Sequence, residues 1–77
     1  MLINGKELPI SSLSQKNIPA ILDFYGIQIG TVAIEKNGEI IPEDSFYNEI
    51  LVESDRLEII KFVGGGWWTS EIYSTLS

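Results

Sequence analysis

The dipeptide Asn-Gly occurs twice, at Asn4-Gly5 and at Asn37-Gly38, each time between short runs that carry apolar residues. A type I′ turn needs positive φ at both central residues, which Asn tolerates and Gly adopts freely, so Asn-Gly is the strongest short-range signal for a β-hairpin. Met1-Leu2-Ile3 and Lys6 to Ile10 flank the first turn. Thr31 to Glu35 and Glu39-Ile40-Ile41 flank the second, and Pro42 ends that strand. The residues around the two turns do not otherwise match, which makes them reuse of turn chemistry and not an internal repeat.

Between the hairpins lies a helix signature. Asn17 can cap with its side-chain oxygen, Pro19 falls within the first turn where no backbone donor is needed, and Gly26 can take the left-handed conformation that ends a helix. Ile18, Ile21, Leu22 and Tyr25 recur at i, i+3, i+4, i+7, which gives one apolar face to lay on a sheet. Ser11 to Lys16 reads as a loop leading into it. Pro42 to Asn48 reads as a turn or single helical turn carrying the pair Phe46-Tyr47, and Glu53-Ser54-Asp55 is a polar corner.

The clearest strand is Arg56 to Val63. Leu57 and Ile59 point to one face; Arg56, Glu58, Ile60 and Phe62 point to the other. The order hairpin, helix, strand pair, turn, final strand suits one α+β domain with a helix across one face of a mixed sheet.

Composition narrows function more than fold. The 77 residues include no cysteine and no histidine, which removes a thiolate nucleophile, a Cys-based zinc site, an imidazole base and most hydrolytic triads. A domain of this size hides only about 60% of the surface of its unfolded chain and rarely supplies a shielded catalytic pocket. Eleven Asp and Glu stand against five scattered Lys and Arg, a net charge of −6, which argues against a phosphate backbone as ligand and favours a basic face on a protein partner. The carboxylates Glu43, Asp44, Glu49, Glu53, Asp55 and Glu58 lack EF-hand spacing and read as a solvated face, not a metal site. With no leader pattern at the N-terminus and no apolar run near the roughly 20 residues of a membrane helix, the expectation is a soluble, cytoplasmic protein that binds neither nucleic acid nor membrane.

Gly64-Gly65-Gly66 follows the final strand. Glycines alone read as a flexible connection. No Lys-Ser or Lys-Thr follows them, as a phosphate-cradling loop would require. Without Cβ atoms such a stretch can also thread a channel that any side chain would block.

Ile3-Asn4-Gly5-Lys6-Glu7-Leu8, the helix Asn17 to Gly26, Val32-Ala33-Ile34 with Asn37-Gly38-Glu39-Ile40-Ile41-Pro42, and Asp55 to Gly66 occur in the order and spacing of a known family. Over Met1 to Gly66 the chain resembles the small sulfur carriers of the ThiS type, within the ThiS and MoaD group. The resemblance implies a ubiquitin-like β-grasp fold, with a mixed sheet of four to five strands and one main helix across one face. It implies a cosubstrate and not an enzyme, with no catalytic residue and no bound cofactor. An E1-like adenylyltransferase of the ThiF type, which uses ATP, would activate the carboxylate of Gly66 and convert it to a thiocarboxylate. A thiazole synthase of the ThiG type would receive the sulfur. By position, Gly66 holds the sulfur, Gly64 and Gly65 form the flexible arm, and Ile60 and Phe62 form a docking patch for partners.

The chain departs from that pattern by continuing with Trp67 to Ser77, which ties the carboxyl of Gly66 into a peptide bond. Removal of 67–77 by a protease, an added tail, and departure from the carrier role are the explanations. Trp68, Ile72 and Leu76 at i, i+4, i+8 suggest a short amphipathic helix needing a surface to lie on. A molybdopterin-type carrier, and a ubiquitin-like interaction module without sulfur chemistry, are the alternative readings.

Overall fold

The computed structural model describes residues 1–63 and 67–69, with side chains through Lys61. Its elements run β1 (Leu2–Ile3), β2 (Lys6–Glu7), α1 (Ile18–Tyr25), β3 (Val32–Lys36), β4 (Glu39–Ile41), β5 (Arg56–Val63) and β6 (Trp67–Thr69), with single 3-10 turns at Ile10–Ser12 and Glu43–Ser45. The sheet order is β2-β1-β5-β3-β4, with β6 paired to β5.

Both hairpins form at the Asn-Gly turns. Asn4 and Asn37 have φ of 50° and 52°, and the glycines after them 82° and 89°, the all-positive signature of the I′ turn. The two antiparallel hairpins β1–β2 and β3–β4 are joined through β5, which runs parallel to β1 (Ile3 opposite Leu57) and antiparallel to β3 (Ile34 opposite Ile59). The sheet is therefore mixed because β5 is inserted between two ribbons that are each locally encoded.

Helix α1 begins and ends where its caps dictate. The Oδ1 atom of Asn17 accepts from the amide of Ala20 at 3.1 Å, Pro19 lies in the first turn, and Gly26 closes the helix at φ 71°, a left-handed conformation costly for any residue with a Cβ. Ile18, Ile21 and Leu22 are buried, and Tyr25 is half-buried against the core.

The inward-facing residues of the sheet, Ile3, Val32, Ile34, Leu57 and Ile59, form one cluster with the helix face, Met1, Leu8, Phe46 and Leu51. Phe46 and Tyr47, adjacent in sequence, part company: Phe46 is 1% exposed and Tyr47 67%. Phe46 and Leu51 anchor the connection between β4 and β5, and the amide of Leu51 donates to the carbonyl of Lys16 at 2.9 Å. Asp55, read from sequence as part of a polar corner, is buried; its carboxylate accepts from Nδ2 of Asn37 and from the amide of Val52, both at 2.9 Å.

Candidate functional site

Everything that could present the glycine arm converges on β5. Its inward residues Leu57 and Ile59 are 2% and 0% exposed, so the strand is held along one face by the core. Its edges are held by the two turn asparagines, one from each hairpin.

On the β1 edge, the amide of Asn4 donates to the carbonyl of Leu57 at 2.9 Å. The Asn4 side chain then takes over: Oδ1 accepts from the amide of Ile59 at 2.6 Å, and Nδ2 donates to the carbonyl of Ile59 at 3.3 Å. On the β3 edge, the amide of Asn37 donates to the carbonyl of Arg56 and its Oδ1 accepts from the amide of Arg56, at 2.8 and 2.9 Å. An amide side chain carries one acceptor and two donors, which lets it stand in for a strand residue where the strand itself has turned away. Each Asn therefore does two jobs, one in its turn and one on β5. The sequence signals the first job; the second needs β5 to be in place.

Beyond Asn4, the same strand pairs with β6: Lys61 opposite Thr69, Phe62 opposite Trp68, Val63 opposite Trp67. The helical reading of the tail gives way to a strand across Trp67–Thr69, which are aromatic and β-branched residues that favour extended pairing and have a length of β5 to pair with. Ile72 and Leu76 lie outside the described residues.

Of the site residues expected from sequence, Ile60 is half-buried on the face away from α1, opposite Ala33. Phe62 is placed in β5 by its backbone, and its side chain lies outside the described residues, as do Gly64, Gly65 and Gly66. Three of the carboxylates read from sequence as a solvated face are engaged within the domain. Glu49 pairs with Lys36 at 2.7 Å, Glu53 contacts the Met1 ammonium at 3.2 Å and accepts from the Ile10 amide at 2.9 Å, and Asp55 is taken by Asn37 and Val52. The Ile10 amide, and after it the Met1 ammonium, holds the Glu53 carboxyl below its ordinary range. The hydrogen bond to Glu49, reinforced by the charge of Asp55 and opposed by burial, raises the Lys36 ammonium.

Among the described residues, two of the surface hollows lie near these elements. One of about 360 Å³ lies beside the start of α1, lined by Ser14, Gln15, Asn17, Ala20, Asp23 and Tyr47 among others. The other, of about 290 Å³, lies on the outer sheet face against Leu2, Glu35, Arg56 and Glu58. Among the described residues no group of three or more carboxylates is gathered for a metal, and no helix is long and apolar enough to cross a membrane.

A five-strand mixed sheet in this order, its central pair parallel and one helix laid across one face, defines a protein of the ubiquitin-like β-grasp class. Within that class the chain belongs to the ThiS family, whose model matches residues 1–66 and so ends on the third glycine. It is 33% identical over 64 residues to the sulfur carrier protein ThiS of Bacillus subtilis, an alignment covering 83% of this chain and 96% of that one. It is 36% identical over 66 residues to a thiazole synthase of Paramagnetospirillum magneticum, covering 86% of this chain but only 20% of that protein. No solved structure matches significantly.

Proposed function

We propose that this chain is a sulfur carrier for thiazole formation, a cosubstrate whose working group is the carboxylate of Gly66. The observation that carries the reading is the family match, which stops at Gly66 immediately after a strand locked into the sheet on both edges.

The chemistry asks little of the carrier. Hydrolysis of the Gly66–Trp67 bond by a protease frees the carboxylate and releases the tail. A carboxylate is a poor electrophile, so an E1-like adenylyltransferase joins one of its oxygens to the α-phosphorus of ATP and expels pyrophosphate. A sulfur nucleophile at the sulfide level then attacks the acyl carbon and displaces AMP, leaving the thiocarboxylate. The base, the metal and the nucleotide site all belong to the activating partner, which suits a chain without histidine or cysteine. Glycines at 64 and 65 present the acyl carbon on an arm with no side chain to clash, and Ile60 with Phe62 form the docking patch beside it.

Thiazole synthase as the acceptor is supported by the relative from Paramagnetospirillum magneticum, in which the segment similar to this chain is one fifth of a protein bearing that name. The same similarity favours the thiamine branch over a molybdopterin-type carrier. Intact mass of the protein isolated from its native cells tests the proposal. The expected species ends at Gly66, in part with one oxygen replaced by sulfur. Only full-length chain under conditions that demand thiamine synthesis would overturn it in favour of an interaction module.

A further inference from the structure

Asn-Gly is a turn signal and also a reactive sequence. A backbone nitrogen can attack the side-chain amide carbon of the asparagine before it, and glycine, with no Cβ, hinders that approach least. At Gly38 no atom stands within 4 Å of the place a Cβ would take. Asn37 and Gly38 are exposed and border the outer hollow, so water reaches this turn.

Reaction requires the asparagine amide to leave its partners. At Asn37, Oδ1 accepts from the Arg56 amide and Nδ2 donates to Oδ1 of Asp55, both at 2.9 Å. Asp55 is 5% exposed, and its other oxygen accepts from the Val52 amide at 2.9 Å. Lys36 stands 3.9 Å from that second oxygen and is bonded to Glu49 at 2.7 Å. The donor that faces Oδ1 of this buried carboxylate is therefore the Asn37 amide.

We propose that Asn37 is a site of spontaneous deamidation which Asp55 and β5 hold closed, and that its reaction is a one-way exit from the folded domain. When the turn opens locally from β5, the Gly38 nitrogen bonds to Cγ of Asn37. The Cγ–Nδ2 bond breaks, and ammonia leaves with the proton that the Gly38 nitrogen gives up. One water then opens the five-membered imide at either carbonyl and leaves aspartate or isoaspartate, so the balance is one water consumed and one ammonia released. The aspartate product can still accept from the Arg56 amide, but it sets an oxygen where the Nδ2 donor stood, at hydrogen-bond distance from Asp55. Two carboxylates so close cannot both ionise without a penalty, and Lys36 is already shared with Glu49. Isoaspartate instead lengthens the main chain by one carbon and spoils the turn. Either product weakens the hold on the start of β5. At Asn4 the same change would oppose an oxygen to the Ile59 carbonyl at 3.3 Å, a neutral group and a smaller penalty. The inference rests on the fold alone and holds whether or not the chain carries sulfur.

The test incubates the purified full chain at mildly alkaline pH, folded and in urea, and follows deamidation by peptide mass mapping. The two asparagines are read separately, so Asn4 serves as a clock within the same molecule. Asn37 should react about 10-fold faster or more in urea, where its two hydrogen bonds are gone. In the folded chain Asp55→Ala should speed Asn37 about 5–10-fold and Asn4 much less. Asn37→Asp, which carries the product, should melt roughly 5–15 °C below the parent. The exchange of Asn37→Asp with Asp55→Asn, which returns a donor to face the carboxylate, should recover most of that loss. A folded rate at Asn37 equal to that in urea, or no reaction there in either state, overturns the proposal. Equal acceleration of both asparagines in Asp55→Ala shows that global unfolding governs the site, and overturns the role of Asp55. Where that variant does not fold the exchange decides, and an exchanged chain that melts no higher than Asn37→Asp overturns the proposal as well.

Discussion

Substituting Asn4 tests the claim that its side chain serves as a strand residue. Asn4→Gly keeps a turn residue at ease with φ of 50° but removes the Oδ1 acceptor at 2.6 Å from the Ile59 amide and the Nδ2 donor at 3.3 Å from its carbonyl. Ile59 is fully buried as a side chain and its strand is central. Leaving a buried backbone group without a partner costs about 1–3 kcal/mol, and the long carbonyl contact adds little. Water entering at the strand edge offsets part of this, so the expected loss is about 1–2 kcal/mol. Asn4→Ala loses the same bonds and also puts at φ of 50° a residue that tolerates the left-handed region less well than asparagine does, about 1 kcal/mol more, for a total of about 2–3 kcal/mol. In a domain of this size that lowers the melting temperature by roughly 8–20 °C. Urea denaturation gives both values, and amide hydrogen exchange at Ile59 localises the effect. If Asn4→Gly falls within about 0.5 kcal/mol of the parent, the ordinary range for a surface change, and Ile59 remains as protected as before, the side chain is only a turn residue and the reasoning is wrong.

Phe46→Ala should cost about 3–5 kcal/mol, because the ring is 1% exposed and anchors the connection before β5, whereas Tyr47→Ala should change stability by less than about 0.5 kcal/mol; chemical denaturation separates the two. Stability should form a plateau with two limbs. The Glu53 carboxyl is held below its ordinary 4.5, foremost by the Ile10 amide, so its contribution is present above the unfolded value and is lost as pH falls through the folded one. Burial pulls the Met1 ammonium down, but its hydrogen bonds to Glu7 and Glu53 outweigh that and leave it above 8.0; its contribution is complete below that value and is lost as pH rises through the folded one. Melting temperature followed from pH 3 to 11 should show both limbs, and Glu53→Gln should flatten the acidic one.

How much of this was legible in the chain depends on the range of the interaction. Both Asn-Gly turns, the caps of α1 at Asn17 and Gly26, and the alternation of β5 are set by residues within a few positions of one another, and the elements appear where those residues place them. The parting of Phe46 from Tyr47 was not legible, because two adjacent aromatics carry the same hydrophobic signal until the core decides which one it covers. Asp55 looked like a solvent-facing corner, and only the approach of Asn37 from the other hairpin gives its carboxylate a buried partner. The tail's apolar spacing suited a helix, but Trp67–Thr69 lie along the length of β5 that Asn4 leaves unpaired, and a strand satisfies backbone groups that a helix would not reach.

The sequence by itself determined the local elements, the absence of acid, base and thiol chemistry that histidine and cysteine would bring, and the glycine run on which the carrier reading rests. Tertiary structure alone decided that β5 lies between the two hairpins, that Asn4 and Asn37 complete its edges, and that Glu35 and Glu58 stand opposite each other. The reason is physical: turns, caps and alternation are written in neighbouring residues, whereas the pairing of β5 with β1 and β3 and its contacts with Asn4 and Asn37 join residues 19 or more positions apart, and no local preference specifies which of them will meet.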